Sequence, residues 1–433
     1  MSLRRLTNSS PRPPPLLSRL SAACCCSSEP SPLRRRWMLP APSVPVHSIS
    51  LSNPSSSFRY SNDRDPFRGG SLTRFEETSD FGKTSFYLIR DDLLHPMVNG
   101  NKARKLDALV PLLQCHGATD LVTCGGCQSA HAAAVAVCCA ERGMRAHLLL
   151  RGEQPEVPTG YNLVSLMYGN VNYIARSVYA LREKMLLKHA KLIAGDERNV
   201  LWVDDILLKD STEWILEESY KMTLDGGGDH LLKGVNETDS RRVVIVNEGA
   251  GSVVGLLGLI RLVKYLSQTH IFGTDQQIVL VLDAGTGTTA IGLALGIAYL
   301  GLPWKVTAVM LADTRERYQE REKCLISDFK RTYGLDYLEE DERIVQWVDR
   351  FHPRRFGKVL NGEIDSCQQI AQQTGVLLDP VYTLAAWEQA VLLAETEKHA
   401  KVVMLHTGGT LGLFGLAQRY APHFRSAPSS TNH

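Results

Sequence analysis

The segment IVLVLDAGTGTTAIGLALGIAYL, residues 278–300, decides the fold of this chain. Ile278 to Leu282 is an apolar run typical of a buried strand, and a helical apolar pattern follows from Thr289 to Leu300. The glycines between them allow a tight turn that directs backbone amides and a helix N-terminus toward one point. This unit predicts a phosphate site, and the missing GK[ST] ending argues against a nucleoside-triphosphate loop.

Strand-like and helical stretches alternate along most of the chain. This alternation predicts an α/β fold with mostly parallel sheets flanked by helices, whose ligands bind at the carboxyl ends of strands. The predicted strands are Phe86–Ile89, Leu121–Thr123, Arg145–Leu150, Val171–Ile174, Val243–Asn247, Ile278–Leu282, Val306–Leu311 and Val402–His406. The predicted helices are Ala103–Cys115, Ser129–Arg142, Val178–Ala194, Val253–Ser267, Thr289–Leu300 and Ala385–Glu397.

The loop after residue 282 fits two ligands. Its clustered hydroxyls, from Thr286, Thr288 and Thr289, suit a terminal monophosphate. The alternative is a dinucleotide fingerprint, G-x-G-x-x-A with an acid after the next strand, formed by Gly285, Gly287, Ala290 and Asp313. The loop alone leaves both ligands open.

A second candidate is NGNKARKL, Asn99–Leu106. Lys102 follows a Gly-Asn turn and precedes a helix, and burial beside Arg104 or Lys105 would lower its pKa and favour condensation with an aldehyde. A solvated lysine at a helix start is the alternative.

A third candidate is TCGGCQSAH, Thr123–His131, where Ser129 stands at a strand-to-helix turn. The C-x-x-C of Cys124 and Cys127 has no second pair, so we predict no metal site here. His131 fits either a general base or a hydrogen-bonded helix residue.

Residues 1–60 differ in composition from the rest. They contain eight arginines, no lysine and Glu29 as the one acid, and they are rich in serine and proline. This composition is typical of an organellar transit peptide, mitochondrial rather than plastid because arginine dominates, and it predicts a disordered segment outside the fold. A net charge of +2 with interspersed acids predicts no nucleic-acid partner, and no apolar run reaches the ~20 residues of a membrane span.

Six ordered motifs between about residues 70 and 420 resemble the 1-aminocyclopropane-1-carboxylate deaminase and D-cysteine desulfhydrase family. They are RDDL (90–93), GNKARKL (100–106), GGCQSAH (125–131), the Gly/Thr loop, LDPVYT (378–383) and HTGG (406–409). The resemblance implies pyridoxal 5′-phosphate, the tryptophan-synthase-β-like fold type II, a small amino-acid substrate and a homodimer. It further implies a large domain of residues 61–105 and 235–433 and a small domain of 106–234, with a Gly-rich insertion near 225–242.

The resemblance also implies roles for individual residues. Lys102 would bind the cofactor and take the α-proton, Ser129 would shuttle protons, and Tyr382 would lie near the substrate. The cofactor-binding set would be Asn101, Lys102, Ser129, Gly285, Thr286, Gly287, Thr288, Thr289 and Thr383.

Thr383 favours one activity of that family over the other. Family deaminases carry a glutamate there that keeps the pyridine protonated, whereas a neutral hydroxyl suits elimination of a good leaving group such as thiolate. The sequence therefore looks like a cysteine desulfhydrase, with D-cysteine implied by resemblance and L-cysteine open. Ala130 replaces the usual asparagine, which leaves a non-catalytic cofactor-binding homologue as a further alternative.

Overall fold

The computed structural model describes residues 32–52, 59–67, 84–98, 100–210, 241–335 and 344–424. Residues 1–31, and the predicted Gly-rich insertion up to residue 240, lie outside these ranges. Among the helices of the described ranges, none combines the length and apolar character that crossing a bilayer requires.

Two sheets organise the chain. A seven-stranded sheet has the order β11-β10-β9-β12-β3-β1-β2, and a fully parallel five-stranded sheet has the order β6-β5-β4-β8-β7. In the larger sheet β11 to β3 run parallel, and β1 pairs antiparallel with both β3 and β2. The strands are β1 Val46–Ser52, β2 Arg59–Asp63, β3 Thr84–Ile89, β4 Asp120–Gly126, β5 Arg145–Arg151, β6 Asn170–Ile174, β7 Val200–Trp202, β8 Val243–Ile245, β9 Ile278–Ala284, β10 Trp304–Met310, β11 Val345–Asp349 and β12 Lys401–Leu405.

Helices connect and cover these strands. They are α1 Asn101–Cys115, α2 Ala130–Ala140, α3 Gly160–Tyr168, α4 Arg176–Tyr179, α5 Arg182–Ala194, α6 Val203–Asp210, α7 Val253–Leu266, α8 Thr288–Leu300, α9 Arg315–Tyr333, α10 Glu363–Thr374, α11 Thr383–Thr396 and α12 Gly412–Arg419. The predicted α/β fold with mostly parallel sheets is therefore confirmed, as are all eight predicted strands. The predicted helix 178–194 is two helices, α4 and α5.

The centre of the core is the contact between α7 and α8. Both helices are apolar nearly all round, which is the pattern of a helix buried on every side. Gly292 allows their close approach, since a Cβ there would lie 2.6 Å from Leu259 Cδ1. This packing holds the N-terminus of α8, and the loop before it, in a fixed position.

The prediction that residues 1–60 lie outside the fold is wrong for their C-terminal part. Val46–Ser52 forms β1 inside the larger sheet, where Ile49 is 0% exposed and pairs with Phe86 of β3. Upstream of it, the Leu39 amide donates to Asp107 Oδ1 at 2.7 Å. The segment VHSISLS alternates apolar and polar residues, as a strand does, but the serine-rich composition of its surroundings hid that period.

The predicted domain division needs one change at its second boundary. β8, which the prediction placed in the large domain, pairs with β4 and β7 of the five-stranded sheet. The division into two domains otherwise remains a prediction.

Candidate active site

Lys102 lies in the first turn of α1, at a position fixed by the residue before the helix. Gly100 has φ +72, and a Cβ there would lie 1.8 Å from Thr407 O, so only glycine fits. The Asn101 amide then donates to Thr407 O at 3.1 Å. The HTGG turn after β12 thus holds the start of α1.

A chain of hydrogen bonds joins Lys102 to the glycine–threonine loop. Lys102 Nζ donates to Asn101 Oδ1 at 2.6 Å, and Asn101 Nδ2 donates to Thr289 Oγ1 at 2.9 Å. Asn101 is 5% exposed and Thr289 4% exposed, whereas Lys102 is half-buried, so the chain runs from a partly exposed residue into the protein. The structure therefore brings together three of the predicted site residues.

The loop itself turns through a left-handed glycine into α8. Gly287 has φ +82 and directly precedes Thr288, the first residue of the helix. The Thr286 and Thr288 hydroxyls lie 3.2 Å apart. On the other side, a Cβ on Gly249 would lie 2.9 Å from Thr286 Cγ2, so a second backbone segment closes against the loop.

Two basic side chains, Lys105 and Arg321, reach this loop. Lys105, one turn after Lys102, is 3% exposed and donates to Gly249 O at 3.1 Å. Burial, Lys102 and Arg321 together hold the pKa of Lys105 well below its usual value. Arg321 donates to Thr286 O at 2.6 Å. Clustered hydroxyls, a helix N-terminus and two basic side chains are a donor set that fits a phosphate dianion.

Two buried carboxyl groups that the sequence did not indicate act on Lys102. Burial lowers the pKa of Lys102, while Asp283 and Asp379 raise it. Asp283 accepts a hydrogen bond from Thr407 Oγ1 at 2.5 Å, and burial raises its pKa to about 6. Asp283 ends the apolar run before the glycine–threonine loop, and Asp379 lies within the motif LDPVYT, and those positions were the available signal.

Ser129 stands where the sequence placed it, at the N-cap of α2. Its Oγ accepts from the Ala132 amide at 3.2 Å, which leaves the hydroxyl proton available for donation. The neighbouring His131 is 3% exposed, and burial, Lys105 and Lys102 lower its pKa to about 3. His131 Nε2 lies 3.0 Å from Thr123 Oγ1.

Tyr382 and Thr383 begin α11. A Cβ on Gly285 would lie 3.3 Å from Tyr382 Cε1, so this ring packs against the phosphate loop. Thr383 is 0% exposed; its Oγ1 accepts from the Asp379 amide at 2.8 Å and donates to Asp379 Oδ2 at 3.0 Å. While that donation holds, Thr383 can accept a further hydrogen bond but cannot give one.

The alternative prediction, a dinucleotide site, depends on Asp313. Its Oδ1 accepts from the Thr314 amide at 3.0 Å and pairs with Arg317 at 3.5 Å. The carboxylate thus serves the start of its own helix, α9.

Cys127 Sγ lies 3.2 Å from Arg151 O, and burial raises the pKa of Cys124 to about 11, which keeps that thiol protonated.

A mostly parallel α/β fold with a half-buried lysine joined to a glycine–threonine loop at a strand end is that of the pyridoxal-phosphate enzymes of fold type II, and this chain has that fold. A solved structure titled as an ACC deaminase homologue superposes with a TM-score of 0.59 and 25% identity, covering 79% of this chain and 89% of that one.

Curated relatives give the family. A protein of Oryza sativa subsp. japonica named "Putative D-cysteine desulfhydrase 2, mitochondrial" is 58% identical over 403 residues, which is 90% of this chain and 94% of that protein. An Arabidopsis thaliana protein named "Bifunctional D-cysteine desulfhydrase/1-aminocyclopropane-1-carboxylate deaminase, mitochondrial" is 24% identical over 78% of this chain and 75% of its own. No family model matches the chain. The chain belongs to the D-cysteine desulfhydrase and 1-aminocyclopropane-1-carboxylate deaminase family.

Proposed function

We propose that this protein is a pyridoxal-phosphate-dependent cysteine desulfhydrase that acts on D-cysteine. The observation that carries the proposal is the chain of hydrogen bonds from Lys102 Nζ through Asn101 to Thr289. It joins the one amine that would bind an aldehyde to the loop that would bind the phosphate of the same molecule. The names of the rice and Arabidopsis relatives support the substrate.

The residues present fit this cofactor. Thr286, Thr288, Thr289 and the start of α8 would hold the phosphate, with Lys105 and Arg321 supplying countercharge. When bound, the cofactor supplies an electron sink for negative charge at the substrate Cα. Thr383 would lie beside the ring nitrogen and, as a neutral hydroxyl, would donate to it once its bond to Asp379 Oδ2 is exchanged.

Lys102 would take the α-proton of the substrate. A base at neutral pH must be deprotonated, and burial lowers the pKa of Lys102 in that direction. Ser129, with its hydroxyl proton free to move, would pass protons between substrate and solvent. The overall reaction is cysteine plus water giving pyruvate, ammonia and hydrogen sulfide: the Cβ–S bond breaks, and the sulfur leaves as thiolate and takes a proton.

The decisive assay measures the pyruvate and sulfide formed from each enantiomer of cysteine. We expect D-cysteine to be turned over and Lys102→Ala to lose this activity while remaining folded. Turnover by Lys102→Ala equal to that of the wild type would contradict the assigned role. A protein that binds the cofactor yet turns over neither enantiomer would instead be the non-catalytic homologue that Ala130 suggests.

An aminocyclopropane-carboxylate deaminase activity is the second candidate, since the Arabidopsis relative carries both names. Opening a cyclopropane needs a stronger electron sink than loss of thiolate, and Thr383 supplies no charge for it. We expect no 2-oxobutanoate from 1-aminocyclopropane-1-carboxylate. If 2-oxobutanoate were released at a rate comparable to that of sulfide from cysteine, the deaminase activity would be favoured.

The names of the same relatives support a proposal on location, and the family resemblance supports one on assembly. Both are named mitochondrial, and we propose import into mitochondria, with plastids as the alternative. We also propose a homodimer, which sedimentation equilibrium of the purified protein tests directly.

A further inference from the structure

Tyr318 is a buried tyrosine whose hydroxyl is bonded to the backbone of the glycine–threonine loop. It lies in the first turn of α9 and is 0% exposed. The hydroxyl donates to Ala284 O at 2.7 Å, with Gly285 O 2.8 Å away, and accepts from the Ala312 amide at 3.1 Å. One phenol group thus joins the end of β9, where the loop begins, to the turn after β10.

The ring of Tyr318 packs against the same loop. It stacks on the ring of Trp347 in β11, with the ring centroids 4.7 Å apart and an interplanar angle of 20°. A Cβ on Gly287 would lie 3.0 Å from Tyr318 Cδ1 and 3.1 Å from Trp347 Cη2, so the two rings fill the space on that side of the loop. Gly287 is the left-handed residue that turns the chain into α8. The loop therefore cannot shift toward α9 without a clash between its backbone and one of the rings.

The two rings are held in turn by Glu322, which lies one helical turn after Tyr318 and is fully buried. Glu322 Oε2 accepts from Trp347 Nε1 at 2.7 Å. Its Oε1 accepts from the Ile344 and Val345 amides, at 2.9 Å each. This carboxyl group binds the start of β11 to α9, so the stacked rings form a rigid support for the loop.

We propose that Tyr318 is a positioning residue of the phosphate site. It holds the loop backbone in the conformation that presents the Thr286 and Thr288 hydroxyls and the start of α8 to the anion. The inference rests on the proposed function, since it takes the ligand of the loop to be the phosphate of pyridoxal 5′-phosphate. A loop that is ordered before binding loses little conformational entropy when the anion binds, and this raises the affinity.

The first test compares two ligands that differ in the phosphate alone. Spectroscopic titration of the cofactor-free protein measures the dissociation constants of pyridoxal 5′-phosphate and of pyridoxal. Tyr318→Phe removes the hydroxyl and keeps the ring. We expect it to weaken binding of pyridoxal 5′-phosphate about 5- to 150-fold relative to binding of pyridoxal, the factor that corresponds to depriving a buried polar group of its partner. An unchanged ratio of the two constants overturns the proposal.

The matched control is Tyr333→Phe on the same helix. The Tyr333 hydroxyl also has a hydrogen bond, which it accepts from Arg35 Nη2 at 3.1 Å, but its partner lies in the N-terminal segment and not in the loop. We expect this variant to keep the wild-type ratio. A drop in the ratio as large as that of Tyr318→Phe would show that the effect comes from a loss of stability, and would reject the positioning role.

The ³¹P resonance of the bound cofactor gives a second readout that a loss of stability alone does not change. A free phosphate monoester changes its charge near a pKa of about 6. In the wild type we expect the resonance to be constant through that pH range, because the ordered loop holds the dianion. In Tyr318→Phe we expect the resonance to shift with pH. A resonance that is constant in both proteins also overturns the proposal.

These results are separate from those of the lyase assay. If the ratio falls in Tyr318→Phe while neither enantiomer of cysteine is turned over, the positioning role stands and only the lyase assignment fails. If the wild type binds pyridoxal 5′-phosphate no more tightly than pyridoxal, the loop is not a phosphate site and the positioning role is wrong. Should Tyr318→Phe not fold, Trp347→Phe, which shortens the ring beside Gly287, gives the same comparison with the same expected direction.

Discussion

At Lys105 the protein buries an amine whose described charged neighbours favour its neutral form. Burial, Lys102 and Arg321 all lower its pKa, and Asp283 alone opposes them. A phosphate dianion at the loop would raise the pKa of Lys105 and favour its protonated form. In the free protein, bringing Lys102, Lys105 and Arg321 together costs free energy. The loop should therefore bind a doubly charged anion well.

Replacing Lys105 by methionine tests this charge. A hydrogen bond to a charged group contributes about 1.5–3 kcal/mol, so the affinity for pyridoxal 5′-phosphate should fall about 10- to 150-fold. Affinity for pyridoxal, which lacks the phosphate, should stay close to that of the wild type. Spectroscopic titration measures both, and Lys305→Met, at the exposed residue of β10, is the control. Equal losses for the two ligands would contradict a phosphate contact.

Asp283 makes stability depend on pH in a defined direction. Burial raises its pKa to about 6, whereas an aspartate in the unfolded chain titrates near ~3.9. A raised carboxyl pKa gives a contribution that is complete below about pH 4 and is lost as the pH rises through about 6. A shift of about two units corresponds to about 2–3 kcal/mol.

Asp283→Asn removes that titration. Between pH 4 and pH 7, the free energy of unfolding of the wild type should fall by about 2–3 kcal/mol relative to that of the variant, measured by urea denaturation at each pH. Parallel pH dependences in the two proteins would show that Asp283 is already ionised at pH 4.

Single residues were predictable where a motif surrounds them. Lys102, Ser129 and the loop threonines stand at strand or helix ends that the sequence marks. Asp379, Lys105 and Tyr318 were not assigned, because their roles come from burial beside groups far away in the chain. A local sequence pattern does not show how deeply a side chain is buried or which distant residues lie beside it.

Among the elements, α1 depends on the close contact at its N-cap. Gly100 combines a left-handed φ with the carbonyl of Thr407 in the space of a Cβ. We expect Gly100→Ala to destabilise the protein by about 2–4 kcal/mol, from backbone strain and overlap together, and to displace Lys102. Gly143→Ala is the matched control: its φ is +70, but nothing lies within 4 Å of the added Cβ. Equal melting temperatures for the two variants would contradict this account.

The N-terminal strand gives a second test at this scale. A chain that starts at residue 32 keeps β1 and should melt as the full-length protein does. A chain that starts at residue 53 loses Ile49 and Leu51 from the sheet, and core losses of this kind cost about 2–5 kcal/mol per side chain. We expect it to aggregate or to melt at a much lower temperature. An unchanged melting temperature would mean that this strand does not stabilise the fold.

The elements that sequence reasoning missed share a physical cause. α9, Arg315–Tyr333, is mostly charged, and only Tyr318, Glu322, Leu325 and Phe329 are buried. That narrow stripe has helical spacing, but a search for apolar runs passes over it. β7 has three residues, too few to show a period.

At the scale of the whole molecule, the proposed active site forms where segments that are far apart in the sequence come together. Asn101, next to Lys102, donates to Thr407 and to Thr289, and Asp283 and Asp379 oppose the effect of burial on the pKa of Lys102. These residues are brought together by the carboxyl ends of β9 and β12 and the starts of α1 and α11. The alternation of strands and helices predicted the kind of site, whereas the sheet order that fixes these contacts could not be derived from it.

The most direct test of the account is to find where the cofactor binds covalently. The purified protein is loaded with pyridoxal 5′-phosphate, reduced with borohydride and digested, and the modified peptide is identified by mass spectrometry. The account predicts one phosphopyridoxyl group, on Lys102. Modification of Lys105 or of surface lysines with Lys102 unmodified would contradict it.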